Sequence, residues 1–337
     1  MKVESLKRII LKPEFSVFII LLLMLALTAN LQRNFFAPTS IVSNINAFVP
    51  IILLAMGQAV VLIAGGLDLS CGASMSLLLV IMTRVMSSDS PISGFYALVA
   101  AVGTMFVIGL VNGLCVGYLR LPPLVATFAT SYVWLGIALF IRPTPGGECV
   151  NWMRMFYTFN EVEGFPPFLK AIGNLLPPSF WLILIGCAVW FVLSKTMTGR
   201  HIYAVGSSRE SAYASGINTA RTMLKAYIIN AFFILLCALY FTAQNQSGDA
   251  RMGDPLTLKT IAAAVVGGVA LTGGRGSVYF AICGAVILSL VSKIIFFANI
   301  SSAYQTLVSG LIVLVAISIS VVYSLVRKRA DMAVRRE

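Results

Sequence analysis

The segment Gly65-Gly66-Leu67-Asp68-Leu69-Ser70 sets a carboxylate and a hydroxyl two residues apart behind a glycine pair, with long apolar runs on both sides. An ionisable group at that depth is costly to hold in hydrocarbon, which marks it as functional. Two roles are open to it. Asp68 or Ser70 can accept the free N–H groups of a helix that begins near Cys71, or they can meet a solute. Asn112 lies inside an apolar run, and Thr127 and Thr130 follow on one helical face. Amide and hydroxyl groups bond a hydroxyl without holding a charge, which suits a path for a polyhydroxylated solute. The same groups also serve to hold helices to one another. Catalytic and metal chemistry find no set of residues here. His201 is the one histidine, and no Ser-His-Asp or paired-carboxylate set stands among the apolar runs. The six cysteines are scattered without a C-x-x-C spacing, so they read as small core residues, with no disulfide and no metal set. No Gly-Lys pair occurs, so there is no Walker A loop, and no cofactor is implied.

A second polar stretch, AVGSSRESAYASGIN at 204–218, stands between long apolar runs. Ser207 and Glu210 have the S-x-x-E spacing of a capping box, and Gly216 supplies a left-handed stop. The spacing predicts a short helix over 208–215. Two turns of helix are not stable alone in water, so something must dock against it. There is also an internal echo. GGLDLSCG (65–72) and GGVALTGG (267–274) share the pattern GGxxL[ST]xG. Glycine-interrupted or short segments in matching places suggest broken helices beside a translocation path. That adds Gly65, Gly66, Gly267, Gly268 and Thr272 to Asp68, Ser70, Asn112, Thr127 and Thr130 as path candidates. A parallel and an inverted relation of the two halves are both open.

The elements that must position these residues are membrane helices. The chain has 337 residues, 59% hydrophobic and only 11% charged. Apolar runs are predicted at 15–30, 39–64, 71–86, 93–118, 123–142, 180–194, 226–243, 260–272, 277–297 and 304–323. They make an all-α polytopic membrane protein of about ten spans, with both termini on the cytoplasmic side. The net charge of +12 does not indicate nucleic acid. Of the 24 Lys and Arg, 16 fall on one side of this topology, so the basic balance reports orientation. The whole of 1–337 reads as one transmembrane domain. Loop 143–179 lies outside, as a docking surface, a lid or a plain connector, and loop 196–224 lies in the cytoplasm.

Four blocks together carry a family resemblance: AGGLDLSCGAS, GLVNGLCVGYLRLPPLVAT, TGRHIYAVGSSRESAYASGIN and AAAVVGGVALTGGRGSVYFAICGAVIL. In order and spacing, from about residue 40 to 325, the chain resembles the membrane permease subunits of bacterial ABC importers of the ribose/galactose/xylose type. The resemblance implies an inner-membrane subunit that is not itself an enzyme. It implies a separate ABC ATPase, a periplasmic solute-binding protein and a second permease, in a homo- or heterodimer. It makes the short helix a coupling helix, with Ser207, Arg209, Glu210, Ala212, Ser215, Gly216, Ile217 and Asn218 engaging the ATPase. Ser207 and Ser208 stand where the family commonly has Gly-Asn. The implied solute is a monosaccharide or a similar polyhydroxylated molecule. Alternatives are an autoinducer-type furanosyl compound or a nucleoside. A transporter working without an ATPase is a further alternative, and it would draw on Asp68, Arg84 and Lys293. Arg84 and Lys293 lie near span ends, where they can snorkel.

Overall fold

The structure is a computed structural model that describes residues 13–160, 162, 164, 166–301, 304, 307, 308, 310, 311 and 314. Twelve α-helices are delimited between residues 13 and 297. They are α1 (Pro13–Leu31), α2 (Pro38–Ile63), α3 (Cys71–Val85), α4 (Ser93–Gly117), α5 (Pro123–Ile141) and α6 (Pro167–Leu175). They continue with α7 (Ser179–Lys195), α8 (Met197–Ser207), α9 (Arg209–Ala214), α10 (Thr219–Asn245), α11 (Leu256–Val266) and α12 (Val278–Phe297). No β-strand occurs among the described residues; two isolated bridges, Ser87–Ser90 and Gly146–Gly248, are all the β-pairing there.

Two helices form the centre. α2 and α10 have 26 and 27 residues, each about 40 Å long and enough to cross the hydrocarbon. Of their most apolar stretches, 78% and 89% of residues are buried. A helix apolar all round and covered all round is a core helix. α4 and α5 have only 33% and 28% of theirs covered, so they form the rim, with Phe95, Val99, Phe106, Phe128 and Phe140 exposed. α10 packs on α4, α2 and α3, while α12 packs on α2, α11 and α1.

Small residues set the closest of these contacts. Gly109, Gly113 and Gly117 lie on one stripe of α4 and meet Ile228, Leu224 and Ala220 of α10 in reverse order. An added Cβ at Gly109 or Gly113 would lie 2.8 Å from the Cα of Ile228 or Leu224. In a bilayer the helices gain by such backbone approach rather than by excluding water.

Among the described residues, five helices are long and apolar enough to cross a membrane, or six if α6 and α7 count as one span bent by 78°. α3 and α11 have 15 and 11 residues, and α3 begins at the buried Cys71. The predicted run 260–272 is shifted: α11 ends at Val266, because Gly267 and Gly268 close it and a glycine-rich loop follows. The predicted run 304–323 lies largely outside the described residues. Loop 143–179 is not plain coil. It holds a 3₁₀ turn (Asn151–Phe156) and α6, whose Phe168, Ile172 and Leu175 form an exposed apolar stripe.

After α10 the chain turns at Gln246, whose φ is +54, and runs back along α3. Gly248 lies against Val80 and Thr83, and Gly253 lies against Gly72. The start of α3 therefore meets the segment that leads into α11. There the Gly72 N–H donates to Thr257 Oγ1 at 3.2 Å and the Gly253 N–H to Ser76 Oγ at 2.8 Å.

Candidate functional site

The polar residues singled out in the apolar runs form one connected cluster where α2, α4, α5 and α10 surround the segment 64–70. Asp68 is 1% exposed. One carboxylate oxygen accepts from the Ser70 N–H at 2.7 Å and the Ser70 hydroxyl at 2.6 Å, and the other accepts from Asn230 Nδ2 at 2.6 Å. The Gln58 amide, turned to satisfy both partners, pairs with the Asp68 backbone N–H and carbonyl at 3.2 Å each. Asn112 Nδ2 donates to Ser70 Oγ at 2.8 Å, and the Thr130 hydroxyl donates to Asn112 Oδ1 at 2.7 Å. Thr127 accepts from the Leu69 N–H at 3.0 Å, while the Tyr227 hydroxyl donates to the Leu67 carbonyl at 2.9 Å. Asn230 is 11 residues into α10, about 16 Å from its start, so the cluster lies well inside the hydrocarbon depth.

This resolves the local role of Asp68. Neither Asp68 nor Ser70 caps the first turn of α3; no side chain of Ser70 makes that bond, and Thr257 of α11 takes the Gly72 N–H instead. Asp68 closes a turn on Ser70 and anchors segment 64–70 to α10. Buried polar groups in such a setting are costly unless they are bonded. Here each of the five predicted residues finds its partner among the others or in the 67–70 backbone. Gln58, Tyr227 and Asn230 complete the cluster and escaped the sequence reading. The signal for them was the one that revealed Asn112, a lone polar side chain inside an apolar run.

The second assembly is at the opposite end of the 64–70 segment. α8 precedes α9, and the two meet at Ser207–Ser208. The helix predicted over 208–215 spans Arg209–Ala214, and its cap is one residue later than expected. Ser207 is the last residue of α8 and spends its hydroxyl on the Tyr203 carbonyl at 2.9 Å. Ser208 is the N-cap: its Oγ accepts from the Ser211 N–H at 3.2 Å and lies 2.9 Å from Ser211 Oγ. The Ser208 N–H bonds the Ala204 carbonyl, so no side chain returns the bond as in a capping box, and Glu210 lies in the first turn. There its charge faces the positive end of the helix. Gly216 has φ +80 and stops the helix as expected. Its N–H bonds the Tyr213 carbonyl, and the Ile217 N–H bonds the Ala212 carbonyl, the paired closure of a left-handed C-terminus. Ala212 is buried beneath the helix. Ser215 bonds the Ser211 carbonyl, and Asn218 caps α10 through the Arg221 N–H at 2.9 Å. Arg209 reaches the Val116 carbonyl at the end of α4 at 3.4 Å.

Both halves of the GGxxL[ST]xG echo arrive at this same end. Gly65 and Gly268 have φ of +84 and +85 and close α2 and α11 by the same pair of bonds. The structural match therefore pairs Gly65 with Gly268, one residue out of register with the sequence pattern. Gly206, at the end of α8, touches both strands of this junction. A Cβ there would overlap the Ile63 carbonyl oxygen and lie 2.6 Å from the Gly274 nitrogen. One on Gly273 would lie 2.9 Å from the Gly65 Cα. The Gly274 N–H donates to the Ile63 carbonyl at 2.8 Å, and the Tyr203 hydroxyl to the Gly276 carbonyl at 3.1 Å. Gly267 is packed against α12, whereas Gly268 and Thr272 are exposed. Those three lie with the junction and not with the Asp68 cluster.

Known proteins bear on this arrangement. The profile of a family described as the permease component of the branched-chain amino acid transport system matches residues 40–317. The chain is 30% identical over 281 residues to the galactose/methyl galactoside import permease protein MglC of Haemophilus influenzae, covering 80% of this chain and 82% of that one. It is 29% identical over 304 residues to the ribose import permease protein RbsC of the same organism, covering 89% and 90%. It is 28% identical over 306 residues to the autoinducer 2 import system permease protein LsrC of Yersinia pestis, covering 89% and 82%. No solved structure matches the chain. With an apolar helical bundle, a buried polar cluster and a match over most of its length, the protein belongs to the permease-component family of the branched-chain amino acid transport systems.

Proposed function

We propose that this chain is the membrane permease of an ATP-driven importer and is moved by a separate ATPase through α9. The whole chain acts as one transmembrane domain, with the α9 end in the cytoplasm and loop 143–179 in the periplasm. Arg209, Glu210, Ala212, Ser215, Gly216, Ile217 and Asn218 form or brace the coupling element, and Ser207 ties α8 to the glycine junction. A periplasmic binding protein delivers the solute, and a second permease, identical or related, completes the pathway. The orientation agrees with the excess of Lys and Arg at that end.

One observation carries the reading: the end of α8 is in backbone contact with the turn that leads to Asp68. Gly206 meets Ile63 and Gly274, and Gly65 is three residues from Asp68. Movement of α8 and α9 must therefore displace segment 64–70. Asp68, Ser70, Asn112, Thr127 and Thr130 line the path when it opens. In the conformation described they satisfy one another, and opening exchanges those bonds for water and solute hydroxyls. Gly66, Gly267, Gly268 and Thr272 belong to the cytoplasmic mouth.

The solute is a monosaccharide or a similar small polyhydroxylated molecule. The names of the relatives (galactose, ribose and autoinducer 2) support that class, as does a cluster of uncharged donors and acceptors around one carboxylate. The test is reconstitution in vesicles with a partner ABC ATPase and a periplasmic binding protein of the same importer class. ATP-dependent uptake of labelled galactose, ribose or a furanosyl autoinducer is expected. Uptake by the chain alone would overturn the reading in favour of a transporter that needs no motor.

A further inference from the structure

A cleft of about 270 Å³ opens between α8 and the first turns of α10, directly beneath the end of α9. Thr198, His201, Gly216, Asn218, Arg221, Thr222 and Lys225 line it. No carboxylate is among them. Arg221 and Lys225 are both exposed, one turn apart on the same face of α10, and both line this one concavity. Lys225 has only a long contact, 3.5 Å, to Thr198 Oγ1. The cleft also opens on the N-terminus of α10, a helix of 27 residues, where the dipole adds to the positive field. Two like charges gathered at the mouth of a cavity repel each other unless an anion occupies it.

The location selects the anion. Phe191 and Val192 of α7, and Met197 at the start of α8, are exposed apolar side chains on the segments leading to Thr198. The cleft thus sits where an apolar helix surface passes into polar surface, the level at which phospholipid headgroups lie. Basic pockets between helices at that level take anionic headgroups. We infer that this cleft is a phosphate-binding site at the membrane boundary, filled by the phosphodiester of an anionic phospholipid. Arg221 and Lys225 are its charged ligands, and Thr198, Thr222 and Asn218 its neutral polar lining. Gly216, the stop residue of α9, forms one wall, so occupancy braces the base of the coupling element. Lipid composition then acts on the permease through this site.

The test uses the full-length chain in neutral detergent. Its thermal unfolding is followed during titration with phosphatidylglycerol, phosphatidylcholine or inorganic phosphate. Saturable stabilisation by phosphatidylglycerol and not by phosphatidylcholine is expected. Arg221→Gln combined with Lys225→Gln should weaken the apparent affinity about thirtyfold, from roughly fivefold per charge removed. A comparable response to inorganic phosphate would assign the site to free phosphate; no such response would assign it to the lipid. Stabilisation that the double substitution leaves unchanged, or that phosphatidylcholine reproduces, would overturn the inference. So would the absence of any response to both anionic probes.

Discussion

Replacing Gly206 by alanine tests the link between the proposed coupling segment and the polar cluster. The added methyl would overlap the Ile63 carbonyl oxygen and come within 2.6 Å of the Gly274 nitrogen. Both neighbours are backbone atoms, so no side-chain rotation relieves the clash. Overpacking of this kind costs about 1–3 kcal/mol. Separating α8 from the junction also strains the 2.8 Å bond between Gly274 and Ile63, worth about 1 kcal/mol. A penalty of about 2 kcal/mol confined to the closed junction shifts a two-state equilibrium about thirtyfold. The chain is expected to insert and to elute as a single species. ATP hydrolysis by the reconstituted complex should continue while solute uptake falls at least tenfold. Gly103→Ala on α4 is the control: nothing lies within 4 Å of its added Cβ, and the junction stays closed. Wild-type uptake per ATP hydrolysed in well-folded Gly206→Ala would refute the reasoning.

Three further outcomes follow from the same geometry. Asn112→Ala removes the bonds to Ser70 and Thr130, about 1 kcal/mol each, and should lower the thermal midpoint of the purified chain; an unchanged midpoint would mean the cluster adds no stability. Ser208→Ala should cost α9 about 1 kcal/mol and raise hydrogen exchange over 209–214, whereas Ser207→Ala should leave that exchange nearly unchanged; the reverse order would restore Ser207 as the cap. At the opposite end of the bundle, the Ser88 N–H and hydroxyl hold the exposed Glu148 carboxyl below its ordinary pKa. The bond is therefore intact at neutral pH and is lost as pH falls through and below the ordinary carboxylate range. Exchange of the Ser88 amide, corrected for its intrinsic rate, should rise on acidification in the native chain and show no such step in Glu148→Gln.

The fold was legible where one apolar run makes one helix. The limits of α2, α4, α5 and α12 lie within a few residues of those read from hydropathy. It was less legible where a close backbone contact sets the start of a helix. α11 starts at Leu256 because Pro255 and the Gly253–Gly72 contact set its beginning, and neither has a hydropathy signature. The stripe of Gly109, Gly113 and Gly117 was in plain sight at four-residue spacing, but its partner on α10 is 103–119 residues away in the chain. At the candidate site, Asp68, Ser70, Asn112, Thr127 and Thr130 stood out because polar side chains are rare in apolar runs. Their mutual bonding did not, since contacts across 42 or 58 residues are set by packing. The cap of α9 illustrates the remaining error. Ser207 and Ser208 are chemically equivalent, and only the end of α8, fixed by Gly206 against Ile63, decides which of them caps.

The close approaches at Gly206, Gly65 and Gly273 also explain why a two-turn helix is held at all. α9 has six residues, too few to persist by its own hydrogen bonds. It is fixed at both ends by other elements: by α8, whose last turn is locked against the junction, and by α10, whose cap Asn218 follows two residues after Gly216. Such an element is rigid towards its base yet exposed on its outer face at Arg209, Glu210 and Tyr213. A force on that face has two routes inward. Through Asn218 it reaches α10, which carries Asn230 to the Asp68 carboxylate. Through Gly206 it reaches Gly65, three residues from Asp68 itself. The routes converge on two bonds from α10 to segment 64–70, Asn230 to Asp68 at 2.6 Å and Tyr227 to Leu67 at 2.9 Å, so rotation of α10 and displacement of that segment cannot proceed independently while both last. Breaking the first frees a buried carboxylate oxygen, which must then find water or a solute hydroxyl. In the proposed coupling, the polar cluster is thereby the place where mechanical displacement becomes a change in what the membrane interior can hydrogen-bond.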